Sequence, residues 1–196
     1  MRKVLVLLVL GAISARAQSI FSIGVVGGAP FTNVVGTVSE NFLNVTPKST
    51  NLTIGPSFQV NLPLNLRLEV DALYRPYSFT GSSGPPMFPV NPAPTTVSAN
   101  EWTFPILAQY RFKTLFVKPF AETGVSVDHL ASLSTDGGAF APLRQTNAGV
   151  VLGGGVDVKI PFIRLSGELR YTHLGSAYFQ SISNLNQAEV LVGVHF

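Results

Sequence analysis

The sequence predicts an all-β chain, an eight-stranded antiparallel up-and-down transmembrane β-barrel. Three observations carry this: strand-like segments whose charges keep to one parity, connections that alternate between long and short, and a short apolar leader with no apolar helix after it. Six segments between residues 66 and 196 hold fifteen charged side chains: Arg67, Glu69, Asp71 and Arg75; Glu101 and Arg111; Lys118, Glu122 and Asp128; Asp157 and Lys159; Arg164, Glu168 and Arg170; and Glu189. Within each segment the charges are all odd-numbered or all even-numbered, and the opposite parity is apolar or aromatic nearly throughout. Successive side chains on a strand point to opposite faces, so each segment has one charged face and one apolar face. A soluble sheet would bury the apolar face in its own core. A membrane barrel turns it to lipid and points the charges into its lumen.

The leader spans residues 1–17. Arg2 and Lys3 form a basic start, Val4 to Leu10 an apolar stretch, and Ala15-Arg16-Ala17 a small-residue cleavage pattern. This is the layout of a secretory signal peptide, too short to cross a membrane as a helix. The barrel domain is then expected over 18–196. The chain has 13 basic and 10 acidic residues, and losing Arg2, Lys3 and Arg16 leaves ten of each. That balance removes the electrostatic case for a nucleic-acid partner. No cysteine is present, so disulfides cannot stabilise a small secreted domain here. Closed strand pairing in a bilayer can.

Strands are expected near 20–29, 51–61, 66–77, 100–112, 116–128, 146–159, 163–173 and 187–196. Each is close to the roughly ten residues that a tilted membrane strand needs. The first alternates only weakly. The second, fourth and fifth contain Pro56, Pro105 and Pro119. A proline cannot donate to a ladder and commonly marks a bulge, so bulges near the rim are expected at these positions. The sixth carries Gly153-Gly154-Gly155, with no Gly-Lys-Ser/Thr after it to make a phosphate loop. The connections 30–50, 78–99, 129–145 and 174–186 are long, while 62–65, 113–115 and 160–162 are short. Outer-membrane barrels put long loops outside the cell and short turns in the periplasm. With both termini in the periplasm, Phe58, Tyr110, Phe112, Phe116, Phe162 and Phe196 fall near the periplasmic rim, and Tyr74, Trp102, Phe104 and Tyr171 near the outer one. Two such aromatic girdles are expected where lipid meets water.

The chain ends Val190-Leu191-Val192-Gly193-Val194-His195-Phe196. A terminal Phe preceded by apolar residues at Val190, Val192 and Val194 resembles the last strand of bacterial outer-membrane proteins. The segments from Phe21 to Thr32, Leu66 to Tyr74, Trp102-Thr103-Phe104-Pro105, and Gly153 to Val158 also resemble the small outer-membrane β-barrel family, similar to OmpA-type transmembrane domains without a periplasmic domain. The resemblance covers essentially the whole chain after the leader. It implies location in the bacterial outer membrane, contact with its lipid, and a C-terminal strand read by the barrel-assembly machinery. It implies no particular activity.

An eight-stranded barrel is just wide enough for side chains to fill its lumen. Eight inward acids (Glu69, Asp71, Glu101, Glu122, Asp128, Asp157, Glu168, Glu189) face seven inward bases (Arg67, Arg75, Arg111, Lys118, Lys159, Arg164, Arg170). Buried charges must be paired, so a self-neutralising salt-bridged plug is expected. A narrow ion path gated by those pairs is the alternative use of the same residues. Glycines at 149, 153, 155 and 193 share the inward parity and would leave room for arginines. A lipid-modifying enzyme is the alternative of another class. Ser126, Asp128 and His129, or His173 and Ser176, hold the residue types a rim hydrolase would use. They lack a fixed nucleophile–base spacing, and Ser126 and Asp128 differ in parity from His129. Three scattered histidines make no metal site. The expectation is a non-enzymatic, cofactor-free, monomeric barrel of structural or surface-interaction type. Its long loops would be free to bind an extracellular ligand that the sequence does not name.

Overall fold

The computed structural model describes residues 20–40, 43–48, 52–83, 94–114, 116–135, 144–179 and 182–196. The expected signal peptide, residues 1–17, lies outside the described residues. The strands are β1 (Phe21–Pro30), β2 (Val38–Glu40), β3 (Leu43–Lys48), β4 (Thr53–Asn61), β5 (Leu66–Asp71), β6 (Leu73–Ser83), β7 (Thr95–Arg111), β8 (Val117–Thr135), β9 (Thr146–Ile160), β10 (Ile163–Leu174) and β11 (Asn186–His195). Every pairing is antiparallel, and the sheet closes because β1 pairs with β4 on one edge and β11 on the other. β5 and β6 occupy one place in the wall, interrupted at Ala72. β3 pairs with β6 above β4, and β2 folds back on β3. The ring thus has eight strand positions, as the alternation predicts.

The faces follow parity. Ser22, Gly24 and Val26 of β1 point inward while Phe21, Ile23 and Val25 are exposed, so even the weakly patterned first strand alternates. The outer face presents a continuous belt of exposed Ile, Leu, Val and Phe side chains. No soluble sheet leaves such a belt bare, whereas a lipid-facing wall requires it. The turns at one end are short. A single 3-10 turn at Pro63–Asn65 links β4 to β5, and Pro161-Phe162 links β9 to β10. Phe162 takes φ 72°, a left-handed conformation disfavoured for a bulky residue, and this leaves its ring 87% exposed at the rim.

Two expectations need correction. Strand lengths of about ten residues hold for β1 and β11, but β7 has 17 residues and β8 has 19. The expected loops 78–99 and 129–145 are therefore partly wall. The reason is that alternation continues past the last charge in apolar form: Tyr77, Phe79, Val97, Ala99 and Leu130 are all buried on the inner face. The wall is thus longer on this side than the about 9–11 residues per strand that a bilayer crossing needs.

The prolines also behave differently from expectation, since no bulge lies at Pro56, Pro105 or Pro119. The register shift is between Asn100 and Glu101 instead. The carbonyl of Pro56 accepts from the Ala72 amide at 3.0 Å. In an antiparallel pair a residue's N–H and C=O point to the same neighbour, so the bond Pro56 cannot donate is lost at Ala72 too. Across the other edge, β5 pairs with β7 up to Val70↔Ile106, and β6 resumes at Leu73↔Thr103, leaving the gap opposite Pro105. Two prolines on neighbouring strands thus bracket the break between β5 and β6. Pro119 lies just past Arg111↔Phe120, the last paired residues of β7 and β8, where a missing donor costs little.

Candidate functional site: a layered lumen

Strand register stacks the inward side chains in four layers. Nearest the short-turn end, Arg67 Nη1 reaches Asp157 Oδ2 at 2.8 Å, and its guanidinium carbon lies 5.3 Å from the centre of the Phe120 ring. Arg67 Nε donates to Gln109 Oε1, and Gln109 Nε2 donates onward to Glu69 Oε2 at 2.9 Å and Glu122 Oε2 at 2.7 Å. Gln59 accepts from Arg164 and donates to Glu69 and to His195 Nε2. The pairings Gln59↔Glu69, Arg67↔Gln109 and Gln109↔Glu122 make this network a direct product of register.

The second layer is built on Arg170, which is fully buried. Its Nη1 lies 3.0 Å from Asp71 Oδ2, its Nη2 2.9 Å from Glu168 Oε1 and 3.3 Å from Glu69 Oε1, and its Nε 3.4 Å from Glu122 Oε1. One guanidinium thus serves carboxylates from three separate places in the wall. The cross-strand neighbour of both Glu122 and Arg170 is Gly153. A Cβ there would fall 2.4 Å from Glu122 Oε1, so the glycine makes the room this cluster needs.

Above it, Arg75 donates from Nη2 to Glu189 Oε2 at 2.8 Å, from Nη1 to Gln187 Oε1 at 2.6 Å, and lies 3.9 Å from Glu101 Oε2. Tyr178, from the segment joining β10 to β11, donates its hydroxyl to Glu101 Oε1 at 2.8 Å. Burial and the nearby Glu101 and Asp128 carboxylates push the Tyr178 phenol above its ordinary pKa, so it stays a donor. The fourth layer is apolar. Val34, Val35, Val45, Tyr77, Phe79, Val97, Ala99, Leu130, Leu174, Tyr178, Phe179 and Ile182 form one buried cluster across the outer end. The Phe79 and Phe179 rings meet edge-on, with centroids 5.5 Å apart.

The lumen is therefore not neutral layer by layer. Four acids crowd Arg170, while Arg111, Lys118, Lys159 and Arg164 gather at the mouth on the short-turn side near Asp157. Lys118 and Lys159 do not join the enclosed network: both are exposed, and Arg111 is half-buried. They stand at the strand ends, where a long stem lets the charge reach water. Parity sets the face of a side chain and says nothing of its height. Gln59, Gln109, Gln187 and Tyr178 escaped a reading keyed to charge. For Gln109 the signal was its shared parity with Glu101 and Arg111.

On the outer face, Phe58, Phe104, Tyr110, Phe112, Phe116 and Tyr171 are exposed, and Tyr74 and Trp102 are half-buried. Phe58 stacks on Phe21, Tyr110 meets Phe112 edge-on, and Trp102 contacts both Tyr74 and Phe104. Tyr74 and Tyr171 donate their hydroxyls to Asn100 and Asn186. Val190, Val192 and Phe196 are exposed and Val194 half-buried, and the Phe196 amide donates to Ile23.

The candidate hydrolase residues do not meet. Ser126 donates to Asp128 at 3.2 Å inside the barrel, while His129 is exposed on the outer face and lies 2.9 Å from Thr146 Oγ1. A wall separates nucleophile from base. His173 contacts Asn186 rather than Ser176. Among the described residues no group of three His, Asp or Glu could hold a metal ion.

No protein-family model and no curated protein matches the chain. Solved structures do. The crystal structure of Neisserial surface protein A (NspA) aligns with TM-score 0.54 and 19% identity, over 90% of this chain and 95% of that one. The outer membrane protein OprG from Pseudomonas aeruginosa aligns with TM-score 0.53 and 10% identity, over 90% and 94%. The fold of this chain is that of the eight-stranded outer-membrane β-barrels.

Proposed function

We propose that the protein is a sealed barrel of the bacterial outer membrane, structural or surface-interacting in role, without enzymatic activity. The observation that carries this is the apolar layer at the outer end. A conducting lumen would need a polar path past Val45, Phe79, Val97 and Tyr178, all of which are fully buried. Ion-pair layers below it add a second seal, since a permeating ion would have to compete with several charge-assisted bonds at once. The outer half then serves as a rigid stalk that presents loops to the exterior. Residues 1–17 are its export signal and lipid is its surrounding partner. In planar bilayers the refolded protein is expected to give no discrete conductance steps. Regular unitary steps would overturn the sealed reading in favour of a channel. An altered lipid A mass profile on overexpression would instead support the enzyme alternative.

Phe196, with Val190, Val192 and Val194, is read here as the assembly signal. Phe196 is 61% exposed at the end of its strand, so removing it should spare the fold. Deleting Phe196 is expected to reduce folded protein in outer-membrane fractions several-fold while leaving refolding in detergent unchanged. Equal yields in both assays would exclude a signalling role.

A further inference from the structure

The periplasmic mouth holds a cavity of about 290 Å³, near the lower limit of small-molecule sites. Arg111, Lys118, Lys159 and Arg164 all line it, and the one acid in its lining, Asp157, is already held by Arg67. A second cavity of about 160 Å³ shares Arg111 and Lys118 and adds Lys113. Half of the ten basic residues that follow the leader thus converge on one opening.

This arrangement is costly without an anion. Lys159 and Arg164 are direct cross-strand partners, and like charges in that position repel. Arg111 Nε is buried without a hydrogen-bond partner, and Arg164 Nε, also without one, lies 4.0 Å from Asp157 Oδ2. His195, which also lines the cavity, accepts from Gln59 at Nε2, so its proton sits on Nδ1, another buried atom without a partner. A structural lumen has no use for such a surplus of donors, because each could have been paired or replaced. We propose that this mouth binds a phosphate-type oxyanion, with Arg111, Lys118, Lys159 and Arg164 as its donors.

Phosphate suits the site better than a carboxylate. It offers oxygens in several directions and up to two charges, matching cations that arrive from β7, β8, β9 and β10. Its source is either free phosphate or the head group of a membrane phospholipid. Phe162 and Phe196 belong to the cavity lining yet are largely exposed, so acyl chains attached to a bound phosphate could run down the apolar outer wall. Only the lipid source rests on the membrane reading above. The phosphate chemistry does not.

The test is calorimetric titration of the refolded mature chain in an uncharged maltoside detergent, at fixed ionic strength. Inorganic phosphate is one probe, and short-chain phosphatidylglycerol below its micelle concentration is the other. Saturable binding is expected for at least one. It should weaken tenfold or more in the K118Q/K159Q variant, from the loss of two charge-assisted contacts. Both lysines are exposed, so this variant should fold, as a heat-modifiability gel would verify. The single variant R111Q gives an independent measure, and K48Q, away from the mouth, should bind as wild type does. Tighter binding of the lipid identifies a head-group site, and binding of inorganic phosphate as tight or tighter shows that acyl chains add nothing and identifies a free-phosphate site. Failure of both probes to saturate, or unchanged affinity in K118Q/K159Q and R111Q, overturns the proposal.

Discussion

An Arg170→Leu barrel is expected to unfold with a free energy about 3–5 kcal/mol below that of wild type, the cost of leaving buried charges unpaired. The geometry puts the effect at the upper end, because four carboxylates from β5, β8 and β10 share this one guanidinium. Leucine fills part of the volume but returns none of the bonds. Urea unfolding in detergent, followed by the fluorescence of the single tryptophan, would measure it. A second-site pair, Glu168→Gln with Asp71→Asn, should recover part of the loss by removing two of the stranded charges. By comparison, Lys48→Ala on an exposed side chain should cost within about 0.5 kcal/mol. Similar small effects at Arg170 and Lys48 would mean the layer is hydrated and its ions are not mutually dependent.

Phe79→Ala is expected to cost a similar amount, about 3–5 kcal/mol, for a different reason. Phe79 is fully buried among the aromatic and aliphatic residues of the outer layer and contacts Phe179 edge-on. Truncation opens a void between wall and loop that β6 and β7 cannot close by moving, since both are held by ladders on each side. The segment carrying Tyr178, Phe179 and Ile182 loses its anchor. Externally added protease should then cut there faster in the variant than in wild type. A cost under about 1 kcal/mol with unchanged proteolysis would show that the cluster is not a packed core.

The all-β class, the eight positions, the antiparallel order and the facing of each side chain were legible because they depend on period and connection length alone. Charged residues at alternate positions in a chain with no leftover apolar helix leave few other architectures. Three features were not legible. The outer layer consists of Val, Phe, Leu and Tyr on the inward parity, and without a charge to mark the face those residues read as loop. Tyr178 lies in a connection with no period, so nothing in sequence aims it at Glu101. The separation of Arg170 and its acids from the cations of the mouth depends on the register of each strand pair, which parity does not specify. The same limit applies to Lys118 and Lys159, whose parity matches the buried residues but which are exposed at the ends of their strands.

The interruption at Ala72 gives the wall a preferred seam. Between Val117↔Val158 and His129↔Thr146, the β8–β9 ladder runs without a skipped pair. Around Ala72 the ladder is incomplete on both edges, with Ala72 and Leu73 skipped against β4 and Asp71 and Ala72 against β7. Local opening starts where the fewest bonds must break together. Amide protons beside Ala72 should therefore trade for deuterium well before those of β8 and β9, and the barrel loosens from its β4–β7 side while the opposite staves remain shut. Asp71, at the edge of that seam, has one carboxylate oxygen without a hydrogen-bond partner. Water entering through the seam would reach that oxygen first, so the barrel's most crowded ionic layer lies against its softest stave.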